Sequence, residues 1–156
     1  MIRENGLKMK DADVAGVSLS WVPAGSLHHV GFVVASIAEA APQFAAMLDC
    51  DWDGKIILDT LQAARVSFLR SKAAADPLFE LVEPVGNDSP VGKFLARGGG
   101  LHHLCYQVER LEEQLRRSRE KGALIARQPA PAAAFGGRRI AWVFTRTKLL
   151  IEYLEA

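Results

Sequence analysis

Leu27-His28-His29-Val30-Gly31-Phe32-Val33-Val34 and Leu101-His102-His103-Leu104-Cys105-Tyr106-Gln107-Val108 are one pattern written twice, 74 residues apart. Leu, His, His and the closing Val recur in register, an aliphatic residue follows the second His, and an aromatic ring stands three places after it. A second pair repeats at nearly the same offset, Leu78-Phe79-Glu80-Leu81-Val82-Glu83 against Leu150-Ile151-Glu152-Tyr153-Leu154-Glu155. Two repeated pairs at one period mark a duplicated module. Each module opens with His on one apolar strand and closes with Glu on another.

At 156 residues the chain can bury one domain, or two small modules sharing a core, but not a second large domain. Its 49% hydrophobic and 24% charged content are ordinary for a soluble globular protein. Nineteen Lys and Arg against 18 Asp and Glu leave a formal charge of +1, so neither nucleic acid nor an acidic membrane surface is an expected partner. Cys50 and Cys105 are far apart in apolar surroundings, which fits reduced thiols in a cytoplasmic protein rather than a disulfide framework. No apolar run approaches the roughly 18 residues of a membrane helix. Residues 1–24 are broken by Arg3, Glu4, Lys8, Lys10, Asp11 and Asp13, and read as an extension rather than a signal peptide.

The spacing predicts a β-rich strand over 27–34 and then a helix opened by the capping-box pair Ser36 and Glu39, with Ile37, Ala41, Phe44 and Leu48 on one face. Short apolar runs at 56–61, 64–69 and 78–82 predict an antiparallel meander. A loop over 84–90 leads to a short helix at 91–97, capped by Ser89, and a Gly98–Gly100 hinge. The second module repeats the plan: a strand at 102–108, a helix around 111–121 ended by Gly122, strands at 123–127, 138–145 and 148–154, and a Pro- and Ala-rich loop over 128–137. The expected fold is α+β, two tandem βαβββ modules over 25–97 and 98–156 forming one mixed sheet.

Adjacent residues in a strand face opposite ways, so one His of each doublet and one Glu of each pair could line a shared cleft. Two carboxylates buried together without a cation would repel and lose their hydration, and a metal relieves both penalties. Imidazole and carboxylate donors together suit Co²⁺, Ni²⁺, Zn²⁺, Mn²⁺ or Fe²⁺.

With these features the chain resembles the vicinal oxygen chelate (glyoxalase/bleomycin resistance/dioxygenase) superfamily and, within it, the methylmalonyl-CoA epimerases. The likeness runs from Leu27 to Glu155 and is most specific at 79–95, Phe-Glu-Leu-Val-Glu-Pro-Val-Gly-Asn-Asp-Ser-Pro-Val-Gly-Lys-Phe-Leu, followed by Gly-Gly-Leu-His-His at 99–103. The resemblance implies His29, Glu80, His103 and Glu152 as metal ligands, with His28 and His102 turned away for packing or support. It implies a U-shaped sheet around the metal, a homodimer, and a small-molecule substrate such as an acyl-CoA. It also implies that Glu152 acts as acid/base in a metal-dependent epimerase or isomerase that removes a proton α to a carbonyl and stabilises the enolate. The chain departs from the epimerases in three places. The strand at 62–69, which there carries a second carboxylate, has no acid, and Asp59 lies just outside it; Phe135 replaces a common His; 145–148 lacks a His-Pro-Lys turn. Lys93, Arg97, Arg138 and Arg139 are candidate phosphate contacts. Two further readings stand beside the epimerase: a lactoylglutathione lyase-like isomerase, which needs no second carboxylate, and a non-catalytic small-molecule-binding resistance protein.

Overall fold

A computed structural model of the chain describes residues 25–73 and 75–156, and the extension read at 1–24 lies outside the described residues. The order is β1 (Gly25–Val33), α1 (Ile37–Leu48), β2 (Cys50–Trp52), β3 (Ile57–Asp59), β4 (Ala64–Ser71), β5 (Leu78–Pro84), α2 (Gly92–Ala96), β6 (Gly100–Val108), α3 (Leu111–Glu120), β7 (Leu124–Pro131), a 3₁₀ turn (Ala133–Phe135), β8 (Arg139–Phe144) and β9 (Leu150–Glu155). The duplicated module is therefore present, and the fold is the expected mixed α+β. The strands form one sheet in the order β2-β4-β5-β1-β6-β9-β8-β7, with β3 also on β4. β1 pairs parallel with β5 and β6 parallel with β9, while the antiparallel β1–β6 pair joins the modules at the centre.

One face of the sheet is covered by helices. Ile37 and Ala41 of α1 pack on Cys50, Leu69 and Leu81, and Leu111 and Leu115 of α3 pack on Val108, Ala141, Val143 and Ile151. The other face curls inward until its two ends touch. Asp59 at the end of β3 accepts a hydrogen bond from the Ala133 N–H, and Arg127 of β7 donates to the Gln62 side chain and the Leu61 carbonyl. No helix among the described residues is long and apolar enough to cross a membrane.

Four details differ from the sequence reading. β2 is additional: Cys50–Trp52 pairs with one end of β4 while β3 pairs with the other, so Asp53-Gly54-Lys55-Ile56 interrupts what is a single strand, β7, in the second module. β7 runs on to Pro131, through the stretch read as loop. It is an edge strand, where the missing N–H of Pro129 and Pro131 leaves no ladder bond unmade. Ser89 does not cap α2, whose first residue is preceded by Val91, and its hydroxyl is buried without a partner. Leu48 lies 42% exposed, because α1 rests on the sheet through its first two turns. Ser36 does cap α1, accepting from the Glu39 N–H, while Glu83 of β5 accepts from the Ile37 N–H.

Candidate metal centre and cavity

Four neighbouring strands at the middle of the sheet, β5, β1, β6 and β9, each carry one of the expected ligands: Glu80, His29, His103 and Glu152. All four are buried, at 5%, 0%, 2% and 3% exposure. His29 Nε2 lies 3.1 Å from His103 Nε2, 3.4 Å from Glu80 Oε2 and 3.2 Å from Glu152 Oε2. His103 Nε2 lies 3.3 Å from Glu80 Oε2 and 3.8 Å from Glu152 Oε2. A divalent ion bonded to N and O donors at about 2.1 Å sets neighbouring donors about 3.0 to 3.4 Å apart. His29, Glu80 and His103 therefore have the spacing and donor chemistry of a candidate transition-metal site, with Glu152 beside both histidines. Glu152 Oε2 is a buried carboxylate oxygen whose closest neighbour among the cluster donors is His29 Nε2, at 3.2 Å. Such a group is costly unless a cation meets it.

The cluster's electrostatics follow from burial and proximity. Burial alone would lower the pKa of His29, but the Glu80 charge and hydrogen bonds to Glu152 and Glu80 outweigh it and lift the value to about 10. Burial raises Glu80, but the charge of His29 and bonds from His103 and His29 hold its carboxyl well below the usual range. In the metal-free protein a proton thus occupies the centre that a cation would share. Burial, then the charge of Glu152, pushes the Cys105 thiol far up, so Cys105 stays an un-ionised neighbour of the cluster.

Backbone pairing explains how His103 fits. Gly31 of β1 stands between Glu80 on β5 and His103 on β6, and the His103 ring lies over it. A Cβ built on Gly31 would fall 2.0 Å from His103 Cε1 and 2.5 Å from Nε2. Gly31→Ala is therefore expected to swing His103 out of the cluster and weaken cobalt binding at least tenfold, as measured by competition with a chromophoric chelator.

His28 and His102 do not face away. Strand pairing slips between Leu27 and His29, and again between Gly31 and Phe32, so that His28 on β1 and His102 on β6 are each an extra residue in a β-bulge. A bulge re-aims side chains. His28 Nδ1 comes to 2.9 Å from His29 Nδ1, and His102 Nδ1 to 3.0 Å from His103 Nδ1. Strict alternation, on which the sequence reading relied, fails at those two places. Burial, then the neighbouring His29 charge, lowers the His28 pKa; burial, then His103, lowers that of His102 to about 4, so both are neutral near pH 7.

Glu80, His103 and Glu152 open onto a cavity of about 240 Å³ whose other walls include Val66, Val82, Val91, Trp142 and Leu150. A cleft of about 520 Å³ lies beyond the 3₁₀ turn, sharing only Ala134 and Phe135 with the cavity. The Phe135 ring stacks on His29 at 5.8 Å, and Trp142 meets His103 edge-on at 4.7 Å. Neither ring was singled out by spacing as part of the site. Asp59 also reaches the cavity wall, but both of its oxygens are engaged, Oδ1 by the Gln62 N–H at 3.0 Å and Oδ2 by the Ala133 N–H at 2.8 Å. It clasps the two ends of the sheet. Arg139 is committed elsewhere, bound by Glu155 and Glu112, while Arg138 donates to the Phe135 and Glu155 carbonyls and lines the outer cleft. Lys93 and Arg97 are exposed at α2, beside Pro90 and Val91 of the cavity wall.

The family model for the glyoxalase/bleomycin resistance protein/dioxygenase superfamily matches residues 28–142, which include three of the four cluster residues. The chain belongs to this vicinal oxygen chelate superfamily. An uncharacterized Bacillus subtilis (strain 168) protein, YqjC, is 33% identical over 133 residues, covering 83% of this chain and 91% of that one. The ethylmalonyl-CoA/methylmalonyl-CoA epimerase of Cereibacter sphaeroides is 28% identical over 127 residues, 74% of this chain and 85% of its own. The crystal structure of methylmalonyl-CoA epimerase from Mycobacterium tuberculosis superposes with a TM-score of 0.75 at 26% identity, covering 88% of this chain and 91% of that one. In this chain the fold brings two repeated modules together and places the His/Glu cluster where they meet.

Proposed function

We propose that the protein is a metal-dependent epimerase or isomerase that moves a proton α to a carbonyl, with an acyl-CoA such as methylmalonyl-CoA as substrate. The observation that carries this reading is the approach of two buried carboxylates, Glu80 and Glu152, to two buried histidine nitrogens at 3.2 to 3.8 Å, at the wall of a largely apolar cavity. His29, Glu80, His103 and Glu152 would hold the metal, which supplies positive charge where negative charge develops on the carbonyl oxygen. Glu152 takes the α-proton. Its Oε2 lies close to His29 alone of the two histidines, at 3.2 Å against 3.8 Å from His103, whereas Glu80 Oε2 is close to both, at 3.4 and 3.3 Å. Val66, Val82, Trp142 and Leu150 exclude water from the reacting carbon. Of the four candidate phosphate contacts, Arg138, Lys93 and Arg97 would meet an anionic carrier, Arg139 being engaged by Glu155 and Glu112. The kinship with epimerases of acyl-CoA substrates supports this substrate class. We further propose that the protein is a cytoplasmic homodimer.

A second reading has its own support. Epimerisation by two bases needs an acid on the opposite face of the carbon, and β4 turns Ala64 and Val66 to the cavity, neither of which can return a proton. A one-base isomerisation, of the kind a lactoylglutathione lyase performs, needs no such partner. Cobalt-reconstituted protein with one stereoisomer of methylmalonyl-CoA in D₂O separates the readings. Deuterium at the α-carbon with loss of stereochemical purity is the expected result. Deuterium with stereochemistry retained favours one-base chemistry, and no exchange excludes this substrate.

A further inference from the structure

Each doublet carries one more histidine than a ligand set needs, and the structure brings that extra ring to the same place in both modules. We propose that His28 and His102 are positioning residues, each holding the following histidine in the tautomer that can ligate a metal. The inference rests on His29 and His103 being metal ligands, and is independent of the reaction and its substrate.

An imidazole turned toward a cation through Nε2 can offer its lone pair only if its proton sits on Nδ1. The Nδ1 of His29 faces His28 Nδ1 at 2.9 Å, and the Nδ1 of His103 faces His102 Nδ1 at 3.0 Å. Between two such atoms one must donate and the other accept. If His28 and His102 keep Nδ1 unprotonated, with their own proton on Nε2, then His29 and His103 carry Nδ1–H and present bare Nε2 atoms to the cluster. The reverse arrangement would put a hydrogen on both Nε2 atoms, where each could donate to Glu80 but neither could offer a lone pair to a metal. The paired tautomers are thus locked together, and a ligating histidine whose other nitrogen is held in this way has its ring orientation and basicity fixed.

Two features make this a built arrangement rather than a chance contact. The same Nδ1-to-Nδ1 approach occurs in both modules with the rings nearly perpendicular, at 78° and 90°. Yet the supporting packing differs, His28 resting on Phe135 and His102 between Phe94 and Trp142. What the modules share is the bulge, which lets two consecutive strand residues serve one site. The doublet is the sequence trace of that device.

The test uses the full chain. His28→Ala and His102→Ala are each expected to weaken cobalt binding about 10- to 100-fold, read by competition with a chromophoric chelator. Their thermal midpoints in chelator should stay near that of the parent. His28→Asn and His102→Asn, whose side-chain oxygen can accept from Nδ1–H, are expected to recover part of the loss, which a packing role does not predict. In the zinc-loaded parent, long-range ¹H–¹⁵N correlation should find His28 and His102 as Nε2–H tautomers. Cobalt affinity unchanged in both folded Ala variants, or Nδ1–H tautomers at His28 and His102 in the parent, would overturn the inference while leaving the metal site standing. A parent that binds no cobalt overturns the metal site and this inference together.

Discussion

Glu152→Gln, saturated with cobalt, is expected to exchange the α-proton of its substrate about 10³-fold more slowly than the parent, the scale on which a positioned general base contributes. The amide preserves the shape of the side chain and an oxygen donor, so the cluster still assembles, but it cannot accept the proton. Glu80→Gln is the matched control. Glu80 also lies in the cluster, but its carboxylate is held by bonds from His103 and His29 and its basicity is suppressed. Its loss should therefore weaken metal binding more than it slows exchange, to about tenfold once metal is saturating. Solvent deuterium exchange followed by NMR, with metal content measured alongside, separates the two. If Glu80→Gln abolishes exchange and Glu152→Gln does not, the roles assigned to these carboxylates are reversed.

The acid/base role of Glu152 was implied by the family resemblance alone, whereas the positions of the histidines and glutamates were legible for physical reasons. The repeated Leu-His-His and Glu patterns were legible because ligands on strands must recur at matching positions in two like modules. The duplication and the cost of burying like charges pointed to one His and one Glu per module, and it was the resemblance to the vicinal oxygen chelate superfamily that implied His29, Glu80, His103 and Glu152 among the alternatives. What spacing could not reveal was the pair of bulges. Their register slips depend on how β1 and β6 pair across the junction, and nothing local in either strand announces them. Gly31 offered a readable hint, since it stands where the second module has Cys105, and a residue without a Cβ in a strand often marks a close approach. The Asp59 clasp joins residues 74 positions apart and has no local sequence signature. β7 was cut short because prolines read as loop when edge position is unknown, and edge position is a property of the whole sheet.

Metal removal is expected not only to destabilise the protein but to reverse how its stability depends on pH. At a free metal concentration 1,000 times Kd, binding adds about 4 kcal/mol, so chelation should lower the thermal midpoint by roughly 10 °C for a chain of this size. In the metal-free protein the folded pKa of His29 is raised from its ordinary 6.5 to about 10. The stability this contributes is fully present below pH 6.5 and is lost as pH rises through about 10. Glu80, held below its ordinary 4.5, contributes stability that is present above 4.5 and is lost as pH falls through its lowered folded value. These two groups together make the metal-free protein most stable between about pH 4.5 and 6.5, with a midpoint that declines from pH 7 toward 10. A metal must displace the His29 proton, so its affinity rises over the same interval. With cobalt at a fixed, non-saturating concentration the thermal midpoint should therefore hold or increase from pH 6.5 to 8.5 while that of the chelated protein falls. Cobalt added to weakly buffered protein at pH 7.5 should release about one proton from His29, detected with a pH indicator. Parallel pH profiles with and without cobalt, or binding without proton release, would place the metal somewhere other than between His29, Glu80, His103 and Glu152.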